Sequence, residues 1–360
     1  MTILVLNILL LLFWKGVVLD RGTQSSRRLF CFMAGLQWFL IMSLRAWDVG
    51  GDASQYLYLY NVSSLYGVSH TLHNMYDLFL GALDGLDPGF DLLVYKPAQS
   101  LNLGYQFALV THAALVTAPL SRFIYKHSRD CCLSFLVFGT IFLGVIGLAG
   151  MRQSLAMSLL VFLGYDLILG RRLIPFLLLV VACYTIHQSA IIFLPFYFLS
   201  RLHLTSIKSV FLLVAIAALV PFAGMLAPYL YALVGYDDYG YSYVGGSNFV
   251  YVVMFTLLAV FVAFRIKPIT FIDENGAPST VALYVVLSAM PFTFVNSNTM
   301  RAAWYYMLFL ILLVPLIVES YDVKTRRLLY LGVFAVCVVA LLLTGGLVLP
   351  DRGYTFFWMG

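Results

Sequence analysis

The chain is 360 residues long, 62% hydrophobic and only 10% charged, with a formal net charge of +5 and a mean hydropathy of +0.94. A soluble domain carries about 25% charged residues, so this composition excludes a water-soluble protein. It also excludes a transmembrane barrel, which alternates apolar and polar residues in segments of roughly ten. The +5 is no nucleic-acid signal, because in a membrane chain the placement of charge matters more than its sum.

The first apolar run, Ile3 to Leu12, has neither a basic start nor a small-residue cleavage site. It reads as a retained span over 2–19 rather than a cleaved signal. A second span is expected at 29–47. The longest non-spanning segment follows, 48–100. It opens "WDVGGDASQYLYLYN" and continues "HTLHNMYDLFLGALDGLDPGFDLLVYKP", mixing aromatics and aspartates with Gly and Pro. Spans are expected next at 101–121 and 131–150. There the chain reads "GMRQS", and Arg152 is the only charged residue between Asp130 and Asp166. A span at 152–170 follows. Residues 173–200 are too long for one ordinary span and short for two. The expected pair at 172–186 and 188–200 is therefore broken or re-entrant around His187.

Further on come a span at 208–228 and a second loop, 229–247, in a stretch with six tyrosines in 20 residues. Spans at 248–265, 280–297, 301–319 and 328–349 complete the chain. The expectation is an all-α, polytopic membrane protein of about twelve spans, forming one transmembrane domain over 1–360 with no internal repeat. The five cysteines lie in or beside apolar spans without metal-like spacing, and read as small apolar residues.

On this scheme sixteen of the 21 Lys and Arg residues fall on alternate loops of one side, which the positive-inside rule makes the cytoplasm. The other side keeps five cations, Arg45, Lys96, Arg152, Arg301 and Arg352, against nine carboxylates. The loops 48–100 and 229–247 are then external. Tyr-rich loops at that surface read either as an interfacial aromatic belt or as a carbohydrate groove, with rings on the C–H faces of sugars and Asp accepting from hydroxyls. Tyr56, Tyr236, Asp238 and Tyr305 are the sugar-binding candidates.

A lone arginine at a span end often only snorkels to headgroups. Two of them, each near a helix N-terminus on the cation-poor side, also fit a diphosphate, through bidentate bonds and the helix dipole. Arg152 and Arg301 are the first candidates, with Gln153 beside one and Arg45 in reserve. Asp52, in a Gly-Gly-Asp turn, and His187, with its near-neutral intrinsic pKa, are the candidates for a catalytic base. Asp52 is otherwise a turn or helix cap, and His187 otherwise a structural hydrogen-bonder. No carboxylate pair has metal-binding spacing, and no cofactor or metal is expected.

At these residues the sequence resembles the EpsG-type, or Wzy-like, polysaccharide polymerases. "GMRQSLAMSLLVFLGYDLILGRR", followed by an apolar hairpin and "HQS", is similar to the core of that family. "GGDASQYLYLYN" and "RAAWYYMLFLILLVP" look like its Gly-Asp with spaced tyrosines and its later Arg-and-Tyr span. The resemblance covers 45–320 in outline and is specific mainly in 150–200. It implies a glycosyltransferase-C-like helical fold in a bacterial inner membrane. It also implies polymerisation of undecaprenyl-diphosphate-linked oligosaccharides at the periplasmic face, as in O-antigen synthesis, alongside membrane lipid, a chain-length regulator and a flippase. A flippase or secondary transporter, and an O-antigen ligase, are the competing readings.

Overall fold

The computed structural model describes residues 2–81, 87–233, 248–272, 276–296, 299–348 and 353–359. Among them the only β feature is an isolated bridge between Arg45 and Phe356; everything else is helix and connection. The described residues divide into two compact units, Met1–Ile191 with Leu328–Gly360, and Ile192–Arg327.

In the first unit the helices are α1 (Thr2–Val17), α2 (Gln24–Ser43), α3 (Ala53–Ser64), α4 (Val68–Phe79), α5 (Pro88–Phe90), α6 (Lys96–Ser100), α7 (Gly104–His127), α8 (Cys131–Val137), α9 (Met151–Phe162), α10 (Gly164–Leu169) and α11 (Leu173–Ile186). Local chemistry sets their ends. Thr23 caps α2 by accepting from the Ser26 backbone N–H at 3.0 Å, and Ser26 reciprocates. Asp130 caps α8 through the Leu133 N–H at 2.9 Å. α2 packs along α7, and α7 along α9. Phe123 of α7 meets Phe162 of α9, ring centres 5.1 Å apart, while Phe30 and Trp38 of α2 pack on Phe135 and Phe138; all are buried. On the expected cytoplasmic side, Asp166 of α10 is bonded by Arg122 at 2.6 Å, Lys126 at 2.7 Å and His127 at 2.8 Å, all from the last turns of α7.

In the second unit α12 (Phe196–Leu199), α13 (Ser206–Leu219), α14 (Ala223–Leu233), α15 (Asn248–Ile272), α16 (Gly276–Thr293), α17 (Thr299–Met307) and α18 (Leu310–Glu319) pack around α16, and α19 (Val323–Val348) starts at its end. α17 and α18 meet at a 50° bend. The chain crosses that break on short i−3 bonds, Phe309 to Tyr306 and Ile311 to Leu308.

Among the described residues six helices are long and apolar enough to cross a membrane, seven if the bent α17–α18 pair is one span. Large apolar side chains cover their outer surfaces, among them Phe211, Phe264, Phe271 and Leu328. Such surfaces need lipid as solvent. The sequence expectation of twelve spans is not reached by length and apolarity alone. The expected spans at 131–150, 172–186 and 188–200 fall on apolar helices of 10–17 residues, and the one at 280–297 on α16, whose apolar part starts only at Pro278. The expected span at 29–47 falls on α2, which opens with Arg27 and Arg28 and carries Gln37 inside. The break expected near His187 is present: α11 ends at Ile186, and a 3-10 segment, Gln188–Phe193, follows.

Candidate functional site

The "GMRQS" turn is built by the elements around it. A π-helical stretch, Phe138–Leu148, ends just before it, and Gly150 takes the left-handed conformation, φ 54°, to start α9. Four groups fix that start. The fully buried Arg45 donates from Nη1 to the Leu148 carbonyl at 2.7 Å. Gly50, at φ 128°, lies against the same carbonyl, where a Cβ would collide with it. His112 Nε2 sits 3.2 Å from the Met151 carbonyl and 3.1 Å from Ser154 Oγ. The Tyr56 hydroxyl accepts from the Arg152 N–H at 3.4 Å.

Arg152 is the second residue of α9. Its Nη1 lies 2.8 Å from Asp87 Oδ2, in an ion pair whose carboxylate is only 7% exposed and whose arginine is 24% exposed. Its guanidinium carbon stands 5.8 Å from the centre of the Tyr56 ring. A carboxylate this buried needs such a partner. His187, in extended backbone at the C-cap of α11, brings Nδ1 to 3.5 Å from the same Asp87 Oδ2. That nitrogen is buried and makes no hydrogen bond among the described residues. One carboxylate oxygen thus faces both an arginine and a histidine.

The Asp-Pro-Gly sequence puts Asp87 there. Pro88 opens the short helix α5, and Gly89 packs on the last turn of α11. A Cβ at Gly89 would sit 2.8 Å from the Thr185 carbonyl carbon and closer still to its Oγ1. Glycine alone lets α5 approach α11 this closely.

Asp87 and Arg152 also line a cavity of about 280 Å³, whose other walls come from α3, α4 and residues 88–96. Its polar floor is saturated. Lys96 Nζ donates to the carbonyls of Ser63 and Tyr66, both at 2.8 Å, and to Gln99 Oε1 at 3.1 Å, and lies 3.7 Å from Asp91. Asp91 accepts from Thr71 Oγ1 at 2.5 Å and from Ser63 Oγ.

Of the residues singled out from sequence, Arg152, His187, Tyr56 and Arg45 meet around this turn, with Gln153 beside Arg152 in the first turn of α9. Gln153 is buried. Arg45 is a brace under the turn, buried beneath it rather than facing outward. Tyr56 is 6% exposed with Arg152 over its ring. Burial pushes its phenol above the ordinary value, opposed by the Arg152 charge. The hydroxyl therefore stays protonated. Asp52 is half-buried at the start of α3 and makes no capping bond. Arg301 belongs to the second unit, exposed in the first turn of α17. Tyr305, also in that unit, is fully buried, its ring stacked 6.2 Å from Phe193. Tyr236 and Asp238 lie outside the described residues.

Sequence reasoning missed Asp87 and His112. Asp87 is one of six aspartates between 48 and 91, and only the close packing of α5 on α11 selects it. Its local signal is the rigid-then-flexible pair Pro88-Gly89.

A helical membrane chain with an arginine and a histidine gathered on one buried carboxylate at a span end has the makings of a site for an anionic, polar substrate. The model of the EpsG family matches residues 28–348, and the chain belongs to that family, a group of polysaccharide-polymerase-like membrane proteins. No curated protein and no solved structure matches the chain.

Proposed function

We propose that the chain is a lipid-dependent glycosyltransferase, a polymerase that joins undecaprenyl-diphosphate-linked oligosaccharide units at the periplasmic face of a bacterial inner membrane. Its products are O-antigen or a related surface polysaccharide. On this reading both units form one transmembrane domain of about twelve membrane passes, glycosyltransferase-C-like in fold, and loops 48–100 and 229–247 are periplasmic. Membrane lipid, a chain-length regulator and a flippase are its partners.

The observation that carries the reading is the shared carboxylate. Asp87 Oδ2 holds Arg152 at 2.8 Å and stands 3.5 Å from His187 Nδ1, at the first turn of a helix in an EpsG-family chain. As the bond from the anomeric carbon to the donor diphosphate breaks, its electron pair goes to the diphosphate oxygen. The Arg152 guanidinium and the N-terminus of α9 stabilise that charge. The attacking acceptor hydroxyl gives its proton to His187 Nε2, because Nδ1 faces Asp87. Before the donor binds, Asp87 occupies the place of a phosphate oxygen on Arg152. A diphosphate draws the guanidinium away and leaves Asp87 to His187, so that donor binding readies the base. Asp52 is the second-choice base, since it has no such partner. The reaction as written calls for no cofactor or metal.

The test is deletion of the gene in its host, with surface glycans separated by gel electrophoresis. The expected result is acceptors carrying at most one repeat unit, restored to a long ladder by the wild-type gene. A deletion strain with the normal ladder overturns the proposal. Loss of the single-unit band as well points instead to a flippase or a ligase.

A further inference from the structure

We propose that the cavity beside Asp87 is a subsite for one neutral sugar ring, the terminal residue of the acceptor. The inference rests on the polymerase reading for the word acceptor, but the site itself is argued from its walls. About 280 Å³ of space is at or below the low end of the roughly 300–1,000 Å³ of small-molecule sites. That is space on the scale of a single ring rather than a chain. Leu59, Val62, Pro88 and the rings of Tyr66 and Phe90 supply apolar wall, suited to the C–H face of a pyranose. His70 stacks on Tyr66 at 4.4 Å and meets the Asn74 amide at 3.3 Å. These two groups and the Asp87 carboxylate offer hydroxyl partners.

The preference for a neutral ring follows from how the charges are used. The lining holds two carboxylates and two cations besides histidine. Lys96 is occupied by backbone carbonyls, Gln99 and Asp91, and Arg152 by Asp87 at rest and, on the polymerase reading, by the donor diphosphate in the reacting site. No cation in the lining is left to meet a uronic carboxylate or a phosphate on the ring, and burying an unmatched charge there is strongly unfavourable. A neutral ring needs only hydrogen bonds. Its free hydroxyl would lie toward Asp87, the carboxylate that also faces His187.

The test is saturation-transfer NMR on the purified full chain in detergent. The probes are the methyl glycosides of glucose, galactose, mannose and N-acetylglucosamine, with methyl glucuronide for comparison. At least one neutral glycoside is expected to bind, and methyl glucuronide is not. Asn74→Ala, at a half-buried position on the wall, should weaken that glycoside at least tenfold. Val62→Trp, which fills the cavity, should abolish binding in a protein that melts like the parent. Failure of every neutral glycoside, equal binding of the glucuronide, or full affinity in Asn74→Ala overturns the subsite. The polymerase reading is judged separately by the deletion ladder. A lost ladder with no glycoside binding removes the subsite alone, and a bound glycoside with a normal ladder removes the polymerase alone.

Discussion

Arg152 makes two contacts that a lysine cannot keep together: Nη1 on Asp87 and the flat guanidinium over Tyr56. A point charge at the end of a flexible stem can reach the carboxylate or headgroups, but it has no planar fork. Losing a charge-assisted contact in a water-poor site costs about 3–4 kcal/mol, roughly a hundredfold to a thousandfold in rate. Arg152→Ala should therefore abolish polymerisation while the protein still inserts, and Arg152→Lys should be severely impaired. Chain-length distributions at matched expression measure both. A lysine variant with wild-type chain lengths would make Arg152 a lipid-facing anchor. At this scale the sequence was partly legible. Arg152 stood out because it is a lone charge in a greasy stretch. Tyr56 and Tyr305 show what a letter leaves out: a tyrosine reads the same whether its ring meets a sugar or packs inside, and both rings are buried.

Between α5 and α11 the decisive feature is Gly89 against Thr185. A methyl group there meets backbone as well as side chain, and backbone at a helix end yields little. Overpacking of this kind costs about 1–3 kcal/mol. Gly89→Ala should lower the melting temperature modestly. It should shorten the glycan ladder disproportionately, because the displaced turn carries Asp87. Equal ladders with an unchanged melting curve would show that α5 can move away without consequence. Elements were legible where one physical signal sufficed. Uninterrupted apolar length revealed α1, α7, α13, α15 and α19. Hydropathy is blind to bends and to the coil of a helix, so neither the π-helical run before Gly150 nor the 50° break after Met307 could be read from it.

For the molecule as a whole, charge placement makes a claim about sidedness. Residues 48–100 should face the periplasm, and the turn before α13 the cytoplasm. All five native cysteines are buried, which favours labelling with an impermeant thiol reagent. Ser69→Cys should label in intact spheroplasts, and Thr205→Cys only after lysis; the reverse pattern would invert the topology. The helix content was legible from composition. The gathering of the site was not, because it depends on contacts between segments far apart in the chain. Among the described residues the most distant of these join the segments on either side of the Arg45–Phe356 bridge. There the Ala46 N–H donates to Thr355, the Phe357 N–H to Leu44, and the Tyr354 hydroxyl to the Ile41 carbonyl. Arg45 is also the residue that pins Leu148 beneath the Arg152 turn. During synthesis every residue of the Arg152 turn and of its four braces is made long before residues 354–357, and until these appear the clasp has no second half. A nascent chain therefore holds the segment that carries Arg45 by its internal contacts alone, and the bridge that closes it comes after every residue of the Arg152 turn has been made.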